Sequence, residues 1–187
     1  MSAETDDADE TGAYRRNSDY ITTRITRDGA EGWPVEAGRY RLAAARACPW
    51  ANRALIARRL YGLESSISLA LAGPTHGEES WTFNLDEGEK DPVLGIHLLR
   101  EAYEARGVEA GSGVTVPALV DVPSGKVVTN DFQHMTLDFG QEWSDLHRPG
   151  GDEVGHVARA AGEAPGVSLP GGRPTGNTRP LAGPGPL

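Results

Sequence analysis

The sequence predicts an α/β fold, a mixed sheet flanked by helices in the element order β-α-β-α-β-β-α. Three observations carry this expectation. The apolar spacing over residues 15–148 alternates between strand-like runs and the 3.6-residue period of a helix. Pro49 and Gly62 bracket one helical stretch at the positions where proline opens and glycine closes a helix. Pro123-Ser124-Gly125 sets a tight turn between two short apolar runs, as an antiparallel pair requires.

Taken in order, residues 39–45 (RYRLAAA) read as a short strand ending before Cys48-Pro49. A helix over 49–61 turns Trp50, Ala54, Leu55 and Ala57 toward a core, sets Arg58 and Arg59 in its last turn, where they complement the dipole, and stops at Gly62. Residues 66–72 (SISLALA) are a buried strand, and 73–92 a long, polar, acidic loop with Trp81-Thr82-Phe83 as its bulky landmark. A helix over 95–106 aligns Ile96, Leu99 and Tyr103 on one stripe. Residues 114–120 (VTVPALV) are a strand broken by Pro117, 126–129 its antiparallel partner, and Asn130 or Asp131 caps a last helix.

Composition narrows the function classes. The chain has 187 residues, with 18 Lys+Arg against 27 Asp+Glu and a net charge of −9. No basic cluster is denser than Arg58-Arg59, so nucleic acid and anionic membranes are expected not to be partners. No apolar run approaches the ~20 residues of a membrane helix, and the first 14 residues carry five acids and no base, unlike a signal or transit peptide. With one cysteine there is no internal disulfide framework and no Cys-clustered metal site, and a reducing, cytoplasmic location is expected. Residues 1–14 read as a disordered acidic leader. Residues 149–187, with 10 Gly and 7 Pro in 39 positions and no aromatic residue, read as a disordered tail, since they bury too little to offset their ordering entropy.

Cys48 carries the chemistry. A lone cysteine is ordinarily a small buried hydrophobe, but this one follows a strand and precedes Pro49 at a helix start, where unpaired amides and the positive dipole end favour a thiolate. Arg46 and Arg53 lie near enough in sequence to add positive potential, although a solvated surface role suits each. Position 51 is Ala, so no resolving cysteine is present and any redox cycle needs an external small thiol.

Arg39-Tyr40-Arg41-Leu42, Ala47-Cys48-Pro49-Trp50-Ala51-Asn52-Arg53, Leu60-Tyr61-Gly62-Leu63, Trp81-Thr82-Phe83, Thr115-Val116-Pro117 and Val128-Thr129-Asn130-Asp131 occur in the order seen in the glutathionyl-hydroquinone reductases, the Xi-class glutathione transferases. The chain resembles that family over roughly residues 17–148. The resemblance implies a thioredoxin-like N-terminal domain at 15–148, with the family's C-terminal helical domain missing, and a homodimer among its assemblies. It implies that Cys48 is the nucleophile, activated by Pro49, Trp50 and Arg53, and that it removes glutathione from S-thiolated quinols through a mixed disulfide. It implies a cis-Pro117 that exposes the Val116 backbone to a thiol cofactor, where an edge-strand proline without ligand is the other reading. Trp81 then packs over the thiol or plugs the core. Asn130 and Asp131 meet the polar end of the thiol or serve as an ordinary N-cap. The family commonly has Glu-Ser where this chain has Asp131-Phe132, and a Phe offers no hydroxyl to a carboxylate. That departure makes mycothiol an alternative to glutathione. Two further readings remain, a general monothiol deglutathionylase and a non-catalytic remnant of the family.

Other signals are weak. The histidines at 76, 97, 134, 147 and 156 form no helical ligand pair, so no metal cofactor is expected. Residues 86–91 (DEGEKD) lack the alternating ligands of a calcium loop and read as solvated. No Gly-Lys-Ser/Thr and no Gly-x-Ser-x-Gly occurs.

Overall fold

The computed structural model describes residues 20–77, 80–109 and 113–149. The expected leader, and the expected tail apart from Pro149, lie outside them. Four strands, β1 (Tyr40–Ala44), β2 (Ile67–Leu71), β3 (Ala118–Asp121) and β4 (Lys126–Thr129), form one sheet in the order β2-β1-β3-β4. β1 runs parallel to β2 and antiparallel to β3, and β3 runs antiparallel to β4, with a register irregularity between Leu119 and Val120. The helices are α1 (Pro49–Leu60), α2 (Leu99–Arg106) and α3 (Phe132–Gln141), so the predicted element order is the observed one.

All five β1 residues are buried, as a central strand covered on both faces demands. Successive side chains alternate between those faces. Tyr40 meets Trp143, just beyond α3, edge to face at 5.7 Å, whereas Arg41 meets Asp91, ahead of α2. The α3 end and the 80–98 connection therefore cover opposite faces. Helix α1 lies against α3 and buries Ala51, Ala54 and Ala57, a stripe of small side chains. Trp50 and Leu55, expected in the core, are only partly buried. The helix closes as expected, with Leu63 N–H on Arg58 O at 2.8 Å and Gly62 at φ 68°. Arg58 also donates Nε to Ile67 O at 2.6 Å, tying the end of α1 to the start of β2.

Three further expectations are corrected. The second helix starts at Leu99, not at 95, because residues 96–98 run extended beside 81–83: Phe83 N–H donates to His97 O and Leu99 N–H to Trp81 O. Glu101 Oε1 then accepts from the amides of His97 and Leu98 and opens the helix. Ile96 keeps its apolar contact outside the helix. The 86–91 run is not wholly solvated, since Asp91 is 0% exposed. Its Oδ2 accepts Nε and Nη2 of Arg41 at 2.9 and 2.7 Å, and its Oδ1 accepts the Val93 and Leu94 amides. Likewise the third strand begins at Ala118 and not at 114, since Pro117 brings no N–H to the ladder.

The segment 20–35, for which the sequence offers no regular element, straps across α3 and β4. Arg24 pairs with Asp138, Arg27 donates to Gln141 O and Glu142 O, and Arg106 reaches Thr23 Oγ1. Burial pushes the Asp138 carboxyl above its ordinary range by more than Arg24 lowers it. No helix among the described residues is long and apolar enough to cross a membrane.

Removing one partner of a buried, hydrogen-bonded ion pair typically costs ~3–5 kcal/mol, and Arg41→Met is expected to fall in that range, read as a lower urea midpoint at unchanged m-value. Gly140 has no room for a side chain, because a Cβ there would sit 2.6 Å from the Tyr61 hydroxyl oxygen. Gly140→Ala is expected to cost ~1–3 kcal/mol by overpacking the α1–α3 contact, measured in the same titration.

Candidate functional site

Cys48 sits just past the carboxyl end of β1, where α/β sheets ordinarily present their ligands. Its N–H donates to Ala45 O at 3.1 Å, its backbone is extended (φ −92°, ψ 117°), and its carbonyl accepts the first helical bond from Asn52 N–H at 3.0 Å. It is thus the N-cap of α1, with Pro49 as the first helical residue. Its side chain caps nothing. The half-buried Sγ instead donates to Val116 O at 3.4 Å.

Val116 is brought there by register. β3 pairs Ala118 with Ala43, so extending that ladder by two residues sets Val116 opposite Ala45, at the turn into Cys48. The Val116–Pro117 peptide is cis, as expected. The Val116 residue is buried, and its N–H makes no hydrogen bond among the described residues. A sulfur, a carbonyl and an unpaired amide therefore share one edge. That edge offers a peptide-like ligand one donor and one acceptor beside a thiol.

The other expected residues fall into two groups. Trp50 stacks on Phe132, the first residue of α3, with ring centroids 4.5 Å apart, and Tyr20 meets the same ring edge-on at 5.7 Å. This aromatic contact brings the N-termini of α1 and α3 together. Trp81 is half-buried against the core, with His76 edge-on at 5.2 Å, and its neighbour Thr82 accepts Gly73 N–H just beyond β2. Arg53 is exposed and forms no ion pair among the described residues. Asn130 and Asp131 are buried and engaged within the protein. Asn130 accepts Ile21 N–H at 2.7 Å and donates to Thr115 Oγ1 at 2.9 Å. Asp131 is the N-cap of α3: Oδ1 accepts the Gln133 and His134 amides, and Oδ2 accepts His134 Nδ1–H at 2.6 Å. Burial pushes the Asp131 carboxyl up, but the bonds from the His134 side chain and backbone and from the Gln133 amide outweigh it and hold the carboxyl below its ordinary range. Tyr20, Ile21 and His134 escaped the sequence reading, since Tyr20 and Ile21 sit outside any periodic segment and His134 lies on an exposed helical turn, whereas Thr115 stands in a quoted motif that does not show its tie to Asn130. No group of three His, Cys, Asp or Glu placed to hold a metal occurs among the described residues.

A four-stranded mixed sheet with a helix N-terminus and a cis-proline edge converging on one cysteine is the architecture of a thioredoxin-like domain. Residues 47–136 match the family model of the glutathione S-transferase N-terminal domain. It is 34% identical over 122 residues to the glutathionyl-hydroquinone reductase PcpF of Sphingobium chlorophenolicum, covering 65% of this chain and 39% of PcpF. To the glutathionyl-hydroquinone reductase YqjG of Escherichia coli it is 31% identical over 149 residues, covering 75% of this chain and 45% of the relative. Among solved structures, a glutathione transferase from Gordonia bronchialis shares 62% identity at a TM-score of 0.66 over 69% of this chain and 40% of that one. The Xi-class transferase of Phanerochaete chrysosporium follows at 28% and 0.68, over 77% and 46%. The homologues are thus Xi-class transferases and glutathionyl-hydroquinone reductases, and the fold is the thioredoxin-like one of their N-terminal domains. The chain spans less than half the length of the curated relatives it matches.

Asp131 contributes stability that is present above its unfolded carboxyl value and lost as pH falls through the lowered folded value. Asp131→Ala is therefore expected to cost ~1 kcal/mol near neutrality, the ordinary worth of an N-cap, and the gap from the parent is expected to close on acidification. Urea midpoints recorded across an acid pH series check both.

Proposed function

We propose that this chain is the thiol-binding part of a thiol-dependent reductase that removes a small thiol from S-thiolated hydroquinones, with Cys48 as its nucleophile. The observation that carries the reading is Cys48 Sγ, free of any capping duty at the start of α1, facing the Val116 edge before Pro117. The names of PcpF and YqjG supply the reaction class, and the glutathione-bound structure of YqjG supplies the cosubstrate class.

In this mechanism the Cys48 thiolate attacks the sulfur of the thioether. The carbon–sulfur bond breaks, a sulfur–sulfur bond forms, and the aromatic carbon takes a proton, so the quinol leaves reduced and Cys48 is left in a mixed disulfide. A second thiol attacks that disulfide, loses its proton, and leaves as the symmetric disulfide while Cys48 returns to thiolate. The Val116 N–H and C=O pair with the backbone of the held thiol, Trp81 packs over it, and Pro49 and Trp50 hold the start of α1 in place. Arg53 adds positive potential at long range, and Asp131 holds the α3 N-terminus in place through the amides it caps. Glutathione is the first thiol to test and mycothiol the second, because Phe132 is packed between Trp50 and Tyr20 and carries no hydroxyl for a γ-glutamyl carboxylate. Residues 15–148 are the folding unit, the location is cytoplasmic, and the assembly is a homodimer. A general monothiol deglutathionylase uses the same Cys48 and Val116 edge without an aromatic pocket.

Cys48→Ser and Cys48→Ala are both expected to abolish release of quinol from a glutathionyl- or mycothiyl-hydroquinone, followed by chromatography, while leaving the circular dichroism melt unchanged. Turnover retained in either variant overturns the mechanism. Removal of thiol from a mixed disulfide without action on the thioether selects the deglutathionylase.

A further inference from the structure

Asn130 is 2% exposed, and both ends of its amide are occupied within the protein. Ile21 N–H can only donate, so the oxygen must face Ile21 and Nδ2 must face Thr115 Oγ1. Asn130 N–H also points at Ile21 O, and Thr129 Oγ1 donates to that carbonyl at 2.8 Å. Thr115 is held a second time from α2, where the Tyr103 hydroxyl donates to Thr115 O at 2.8 Å. Burial pushes the Tyr103 hydroxyl up to about 12, so it stays protonated and donating. The residue gripped from both sides is the immediate neighbour of Val116, whose carbonyl takes the Cys48 thiol.

We infer that Asn130 is a positioning residue that acts through Thr115, fixing the Val116 edge opposite Cys48, and that it does not contact the thiol ligand. The consequence for ligand binding rests on the function proposed above, whereas the consequence for Cys48 itself does not. Loosening Thr115 lets the Val116 carbonyl drift from Sγ, which uncovers the sulfur and misplaces the pair of groups offered to a ligand backbone.

The test is the rate of Cys48 alkylation by iodoacetamide in the full chain, read by intact mass, without thiol and then with glutathione or mycothiol. Thr115→Val keeps the shape and removes the acceptor, and Asn130→Ala removes the donor from the other side. Each is expected to raise the thiol-free rate about fivefold, the factor carried by one ordinary hydrogen bond, and to raise the half-protecting thiol concentration by a similar factor. Thr115→Ser, which restores the hydroxyl, is expected to return both to the parental values. Gly140→Ala overpacks the opposite end of α1 and α3 and is expected to leave both unchanged, with thermal melts recorded for every variant. Equal rates in Thr115→Val and the parent, or the same rise in Gly140→Ala, overturn the inference. A rate rise confined to Thr115→Val and Asn130→Ala, with no thiol protecting even the parent, upholds the positioning role and overturns the thiol-binding reading instead.

Discussion

The buried pair between Arg41 and Asp91 is the constraint on which the arrangement of the site depends. Arg41 lies on a central strand and is buried, so its guanidinium is tolerable only with a carboxylate on it. Asp91 satisfies that need and, through its other oxygen, closes the turn at Val93 and Leu94. Desolvating two charges leaves little net stability, and the return is geometric. The turn sets residues 96–98 beside 81–83, which places Trp81 near the end of β2 and starts α2 at Leu99. From α2, Tyr103 reaches Thr115, and the next residue is the one facing Cys48. A charge pair on the sheet is thus linked by packed, hydrogen-bonded steps to the sulfur.

Two helix N-termini converge at the same end of the sheet, and different devices occupy them. At α3 the orphan amides are taken by Asp131, and His134 occupies its second oxygen, so that terminus is internally satisfied. At α1 no side chain caps the amides, because the N-cap is a cysteine whose thiol turns to the Val116 carbonyl. The contrast is chemical. A carboxylate at Asp131 spends its charge on structure, whereas the α1 terminus keeps its positive end for whatever negative charge develops on sulfur. The contact between Trp50 and Phe132 fixes the distance between the two termini with an apolar wedge, which draws on neither.

Much of this was legible in the sequence because it is local. Pro49 after Cys48, Gly62 after a helical run, and Pro117 inside a strand pattern each state a backbone requirement that one residue type meets, and the helix start, the helix stop and the strand break all appear where those residues stand. The start of α2 was misread for the opposite reason. Ile96 sits at helical spacing from Leu99 and Tyr103, but pairing of 96–98 with a stretch fifteen residues earlier outweighs that local preference. Asp91 was misread because burial of a charge is decided by a partner fifty residues away, and its neighbours 86–90 are indeed polar and outward-facing or nearly so. The site divides in the same way: Cys48 could be found from type and context and the Val116–Pro117 edge through the family resemblance, whereas the tasks of Asn130 and Thr115 exist only once Ile21 and Tyr103 have been brought to them.

The strap formed by residues 20–35 bears on what counts as the domain. The matched family stretch begins at residue 47, yet Ile21 bonds to Asn130 and Thr129, Arg24 to Asp138, and Arg27 to the backbone at the end of α3. These contacts close α3 against β4 from outside, and Tyr20 lies on the ring of Phe132 beside Trp50. A chain starting at 47 would lack β1 and leave Asp138 buried without its cation and Asn130 with an unpaired oxygen. The cost of the first falls on the fold. The cost of the second falls on the Thr115–Val116 edge, so the strap belongs to the candidate site as much as to the scaffold.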